Sequence, residues 1–197
     1  SLSRTTAAKI ELHIRKFALL TSAGNDAPVT LHRLHGVIER GQRDQPRLQL
    51  IAHLVEQPAG DAKPISLVAA PAAAPTSGGE AGDEEKLGAA APGQVITLNT
   101  QQNAIPVALL APLVPGVAAL NDSATFTGVV TWHANGAGAL GGRLDGVDLA
   151  GILPRNSPHI LTGKAVVELT DCHWQGEQFQ RLAGTFTAVG AEANGSL

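Results

Sequence analysis

The sequence predicts a mainly β protein: an antiparallel, repeat-built curved sheet, groove- or sandwich-like, with one or two short helices. Three observations carry this expectation. Apolar residues alternate with polar ones over several segments, turn-rich breaks separate those segments, and the unit Arg-Leu-x-Gly occurs three times. Alternation marks a half-buried strand because successive side chains leave opposite faces of a sheet.

In "KIELHIRKF", Ile10, Leu12 and Ile14 share one face while Glu11, His13 and Arg15 take the other. In "RLQLIAHLVE", Leu48, Leu50, Ala52 and Leu54 line up in the same way. The breaks "SAGNDAP" and "RGQRDQP" have the composition of turns, so residues 1–56 read as an N-terminal β meander. From 57 to 93 the chain turns to Ala, Pro, Gly and acidic residues. Such a segment buries too little apolar surface to offset its ordering entropy, and a flexible loop or insertion is expected. A short strand around Ile65–Val68 is expected to interrupt it. Residues 94–197 read as β-hairpin repeats with short helices. Asn103 is placed as the N-cap of a helix broken by Pro112 and Pro115, and Asp148 as the cap of a second, shorter turn.

"TFTGVVTWHA…GGRLDG" and "ILTGKAVVELTDCHW…FQRLAG" align as two copies of one hairpin, with "KIELHIRKFALL…VTLHRLHG" as a looser third. In each, the Leu is expected to point into the core and the Gly to mark a kink or close backbone approach. A hairpin repeat of this kind needs neighbours stacked beside it to bury its apolar face.

Bulk properties exclude several function classes. A net charge of −3 argues against a nucleic-acid partner, which calls for a basic face. No apolar run approaches the roughly 18 to 20 residues of a membrane-spanning helix. The single Cys172 excludes an internal disulfide framework. The chain contains no Met, even at position 1, and is expected to be a piece of a longer protein.

Motifs that carry chemistry fare poorly. "GAGALG", Gly136 to Gly141, fits G-x-G-x-x-G, but it runs into an alternating strand where a dinucleotide site needs a helix, so it reads as a hairpin turn. A strand sends His32 and His35 to opposite faces and the adjacent Cys172 and His173 likewise apart, while His13, His53, His133 and His159 are read as lacking a nearby Cys or carboxylate pattern of the kind metal sites use. No metal, cofactor or catalytic residue is assigned. The nearest approach to an enzyme would be a cleft where two or more of Asp145, Asp148, Asp171 and His173 converge. A carbohydrate-binding sandwich would need an exposed aromatic. Trp174 is the candidate, since Trp132 shares a face with Phe126 and Val130.

Residues 94 to 189, and more faintly 8 to 56, resemble the AsmA-like and TamB-like bacterial envelope proteins. The likeness lies in alternating strands with a Leu-x-Gly kink and short helical breaks such as "LAGIL". The resemblance implies a periplasmic, non-enzymatic domain of a longer protein that meets the membrane through parts outside this chain. Its partners would be neighbouring repeats of the same protein and phospholipid, whose acyl chains lie along an apolar β-groove. The lining is then expected at Phe126, Val130, Trp132, Val167, Leu169, Leu182 and Phe186, as either lipid-facing or core residues. Arg143, Lys164, Glu168 and Arg181 would form the charged outer face. A scaffold module that pairs through its sheet edges is the alternative.

Overall fold

The computed structural model describes residues 8–19, 29–40, 46–55, 63–72, 93–117, 120, 123–151 and 159–195. The alternating segments become the strands of one antiparallel, open, curved sheet. In chain order these are β1 (Lys9–Leu19), β2 (Val29–Arg40), β3 (Pro46–His53), β4 (Ile65–Pro71) and β5 (Gln94–Asn99). They are followed by β6 (Ile105–Pro106), β7 (Thr125–His133), β8 (Ala137–Asp148), β9 (His159–Gln175) and β10 (Gln178–Gly195). Spatial order follows chain order from β1 to β10, except that the two-residue β6 pairs with β7 beside the main path. Both N- and C-terminal halves therefore belong to a single sheet, and β4 is an inner strand within the stretch expected to be a loop. The remainder of that stretch, 57–62 and 73–92, lies outside the described residues.

Register carries one apolar face across the whole sheet. Leu12 sits opposite Gly36, Gly36 opposite Leu50, Leu50 opposite Leu67, and Leu67 opposite Leu98. Leu98 then faces Val130, Val130 faces Leu140, and Leu140 faces Cys172. Each strand contributes every second residue to this face, as a pleated sheet requires.

The three Arg-Leu-x-Gly units all lie on the returning strand of a hairpin: β2, β8 and β10. Each coincides with a shift in pairing register, between His32 and His35, between Leu144 and Val147, and between Ala183 and Gly184. An added Cβ on Gly36 would press on Leu50 and one on Gly184 would strike the Glu168 carbonyl, while Gly146 takes a φ of 73°. The phrase thus serves where the ladder bulges. The Leu behaves as expected in two copies, Leu34 and Leu144 being buried, but Leu182 on the outermost strand is 64% exposed.

The first helical expectation is met only as short 3₁₀ structure: the described residues of 103–120 hold β6, a 3₁₀ turn at Val107–Leu110, further turns and no α-helix. Prolines at 106, 112 and 115 remove the backbone donors a helix would need. Asn103 does not cap. Its side-chain amide donates to the carbonyls of Thr100 (2.7 Å) and Lys63 (2.8 Å), tying this segment down beside β4. The Asp148 cap does form, its carboxylate accepting from the Ala150 N–H at 3.0 Å over the 3₁₀ turn Leu149–Gly151. The "GAGALG" glycines enter β8 from the tight turn that joins it to β7, with the Asn135 side chain accepting from the Ala137 N–H.

The main core forms where residues 105–117 fold back over the apolar face. Ile105, Val107, Leu110, Val114 and Val117 pack down on Phe126, Val130, Leu140, Leu144 and Val147. Thr100, a fully buried polar residue, is satisfied. Its hydroxyl accepts from the Gly128 N–H (2.9 Å) and its own N–H donates to the Gly128 carbonyl (3.0 Å).

Candidate functional site: an apolar trough

The covering segment stops part-way. Over β1 to β5 the same face is left as a trough of about 560 Å³, within the volume range of small-molecule sites. Its floor and sides come from Ile14, Phe17, Leu34, Leu50, Leu67 and Leu98, among others, and Ile105, Leu109 and Leu113 of the covering segment close one end. Ser66 supplies the polar residue of the lining, and no charged residue is among the lining residues. The trough is open to solvent along β1, where Leu12 is 46% and Phe17 is 42% exposed. Ile10 and Ile38 extend the apolar surface beyond it, forming the kind of exposed patch a monomer seldom leaves without use.

A break in alternation shapes this wall. Arg33 adopts a positive φ of 52°, unusual for a residue with a Cβ, inside the register shift between β2 and β3. The extra residue brings Leu31 and Leu34, three apart, onto the same face, and both line the trough. It also corrects the histidine reading. His32 pairs with His53 and His35 with Ile51, so both histidines point to the outer face and not to opposite ones.

The seven residues expected as either lipid-facing or core lining divide between the core and the outermost strand. Phe126 and Val130 are fully buried under the covering segment, with Trp132, Val167 and Leu169 packed against that core. Leu182 and Phe186 are on β10, 64% and 53% exposed. None of the seven lines the trough. Of the residues that do, Leu12, Ile14, Leu50, Ala52 and Leu54 were visible in sequence as alternation, whereas Leu31 and Leu34 reach the same face only through the bulge. What the alternation lacked was any sign of which half residues 105–117 would cover.

Trp174 is not available to a sugar. It is 3% exposed, and an added Cβ on Gly138 would run into its ring, so the absent side chain makes the space the indole fills. Cys172 beside it is also buried, and burial, helped by the Asp171 charge, pushes its thiol pKa up. Such a thiol is a poor nucleophile.

Of the four residues considered for an enzyme cleft, Asp171 and His173 come together on the outer face, Nε2 to Oδ1 at 2.8 Å. Asp171 is also held by Arg181 at 2.7 Å. Asp145 is instead bound by Arg143 through Nε and Nη2 (2.8–2.9 Å), which holds its carboxyl below the ordinary range, while Asp148 caps its turn. Arg143 also reaches Glu168 across the strands at 3.4 Å. The outer face is charged, as expected for Arg143, Glu168 and Arg181.

A second cluster on that face was missed in sequence. His13 stands directly opposite His35 in the β1–β2 register, with the rings stacked at 4.5 Å, and Glu11 lies two residues before His13. Donor atoms of all three fall within 4.8 Å of one another. Linear spacing could not reveal this, because the carboxylate and the second imidazole are brought together by strand pairing.

No helix among the described residues is long and apolar enough to cross a membrane. No protein-family model, curated protein or solved structure matches the chain.

Proposed function

We propose that this chain is a non-enzymatic module that holds the acyl chains of a phospholipid, or conducts them, along the trough over β1 to β5. The observation that carries the reading is the lining: apolar walls, mostly aliphatic, one Ser, and no charged group to recognise a polar ligand. An acyl chain gains about 0.8 kcal/mol per methylene taken out of water and asks nothing more specific of its site. The sheet is open at both ends of its strand order, so equivalent units of a longer protein can extend the trough. The reading goes with a bacterial envelope location, which rests on the repeat resemblance.

Organic extraction of natively purified protein, followed by mass spectrometry, tests it. Phospholipid well above a mock purification is expected, and Leu12→Asp on the exposed rim should lose the lipid while keeping the fold. An empty parent protein whose trough also fails to take up a fluorescent fatty acid would sink the proposal.

A second reading has its own observation. Among the described residues β10 pairs with β9 alone, and it carries Phe179, Leu182 and Phe186, each at least 45% exposed, on the apolar side. An unpaired edge with exposed apolar side chains is suited to strand addition by another chain or repeat. In this scaffold reading β10, and not the trough, is the working surface.

A further inference from the structure

On the outer face of β1 and β2, behind the trough, three metal-ligand side chains converge. We propose that Glu11, His13 and His35 form a transition-metal site, with Zn²⁺ as the fitting ion, that clips the edge strand β1 to β2. Two imidazoles and a carboxylate are a recurrent donor set for Zn²⁺, and three protein ligands leave a fourth position for water or an exogenous group. The geometry is nearly assembled. The donor atoms lie within 4.8 Å of one another, whereas ligands around a tetrahedral Zn²⁺ at about 2.0–2.1 Å stand roughly 3.3 Å apart. Closing that gap takes side-chain rotation, for which Glu11 and His13 have room, both being exposed.

The backbone is what makes the site. His13 and His35 are cross-strand partners, and Glu11, two residues before His13, projects from the same face. Rotamer motion cannot separate the two imidazoles far, because the ladder fixes their Cα atoms. Glu11 at present shares one oxygen with Lys9 (Nζ–Oε1 2.7 Å), and its other oxygen is 3.9 Å from His13 Nε2. Lys9 has an alternative partner in Glu39, directly opposite it in the register. Glu11 can therefore turn to a metal without leaving the lysine unpaired.

The position gives the site a consequence. The His13–His35 pair lies between Leu12–Gly36 and Ile14–Leu34, and Leu12, Ile14 and Leu34 line the trough. A metal bridging the two histidines would pin the outermost wall of the trough from behind. Edge strands held on one side are the part of a sheet most ready to open locally, so a cross-strand clip acts where it has most effect.

Zn²⁺ titration of untagged protein against a chromophoric chelator, with hydrogen exchange followed in parallel, tests the proposal. The parent is expected to bind a single equivalent at micromolar or tighter affinity. His13→Ala and His35→Ala should each weaken it by about tenfold or more, and Glu11→Gln by less. Amides of β1 and β2 should exchange more slowly with Zn²⁺ in the parent and unchanged in His13→Ala. A parent that binds no Zn²⁺, or a His13→Ala/His35→Ala double variant that binds it as tightly, overturns the site. Binding without slower exchange in β1 overturns the clip.

Discussion

Phe17 and Phe126 project from the same face of the same sheet, yet Phe17 is 42% exposed and Phe126 is fully buried. Part of the difference lies in their strands, since β1 is an outer strand with β2 alone beside it and β7 is an inner one. Both segments alternate, and both are flanked by apolar cross-strand neighbours. The rest comes from residues 105–117, which lie over β7 to β9 and reach β4 and β5 only at one end of the trough. A sheet face of this kind is neutral between core and site. The segment laid across it decides which half becomes which.

The comparison breaks most sharply by truncation. Phe126→Ala should cost about 3–5 kcal/mol and Leu110→Ala about 2–5 kcal/mol, the range for opening a cavity in a packed core. Phe17→Ala, on the open wall, should cost less, about 1–2 kcal/mol, because its side chain is already 42% exposed. Urea unfolding of the three variants measures this. Equal losses at Phe17 and Phe126 would mean that the trough is as closed as the core, and the distinction between the halves would fail.

The repeat sharpens the same contrast at a smaller scale. Leu144 and Leu182 hold the same place in Arg-Leu-x-Gly, but Leu144 has β7 and β9 on either side while Leu182 has β9 alone. Leu144→Ala should therefore destabilise by about 2–5 kcal/mol and Leu182→Ala by about 0.5 kcal/mol or less, read from denaturation midpoints. If a further repeat or another chain pairs with β10, the cost at Leu182 should rise toward that at Leu144 in the presence of that partner.

Local signals and long-range ones divided cleanly in what the sequence disclosed. Alternation in "KIELHIRKF" and "RLQLIAHL" gave strands and their apolar face, because that information is held within a few neighbouring residues. The hairpin phrase was legible as structural, and its glycines do mark bulges. Three features were not legible, for one shared reason. The covering role of 105–117 depends on tertiary packing, since its prolines forbid the regular helix that periodicity can reveal. The convergence of Glu11, His13 and His35 depends on register between two strands. The burial of Trp174 depends on Gly138 of the adjacent strand, 36 residues earlier in the chain.

The smallest effect concerns the outer face, where the two halves each carry a short-range ion pair on one strand. In β1, Lys9 reaches Glu11, and in β8, Arg143 reaches Asp145. Both carboxyls are held below their ordinary pKa, in each case first by the hydrogen bond from the basic side chain. A carboxyl lowered in the folded state binds fewer protons there than in the unfolded chain, so stability rises with pH through that window. The contribution is complete above the ordinary carboxylate pKa and is lost as pH falls through the lowered folded value. Both pairs are solvent-exposed, so the gain in stability is small and screened by salt. Site-resolved titration by NMR reads it more directly than unfolding does. Arg143→Gln should return Asp145 to the ordinary range and leave Glu11 where it is, since the two pairs sit on strands at opposite sides of the sheet. A shift at Glu11 in that variant would show that the open and covered halves communicate through the sheet, and treating them as independent would be wrong.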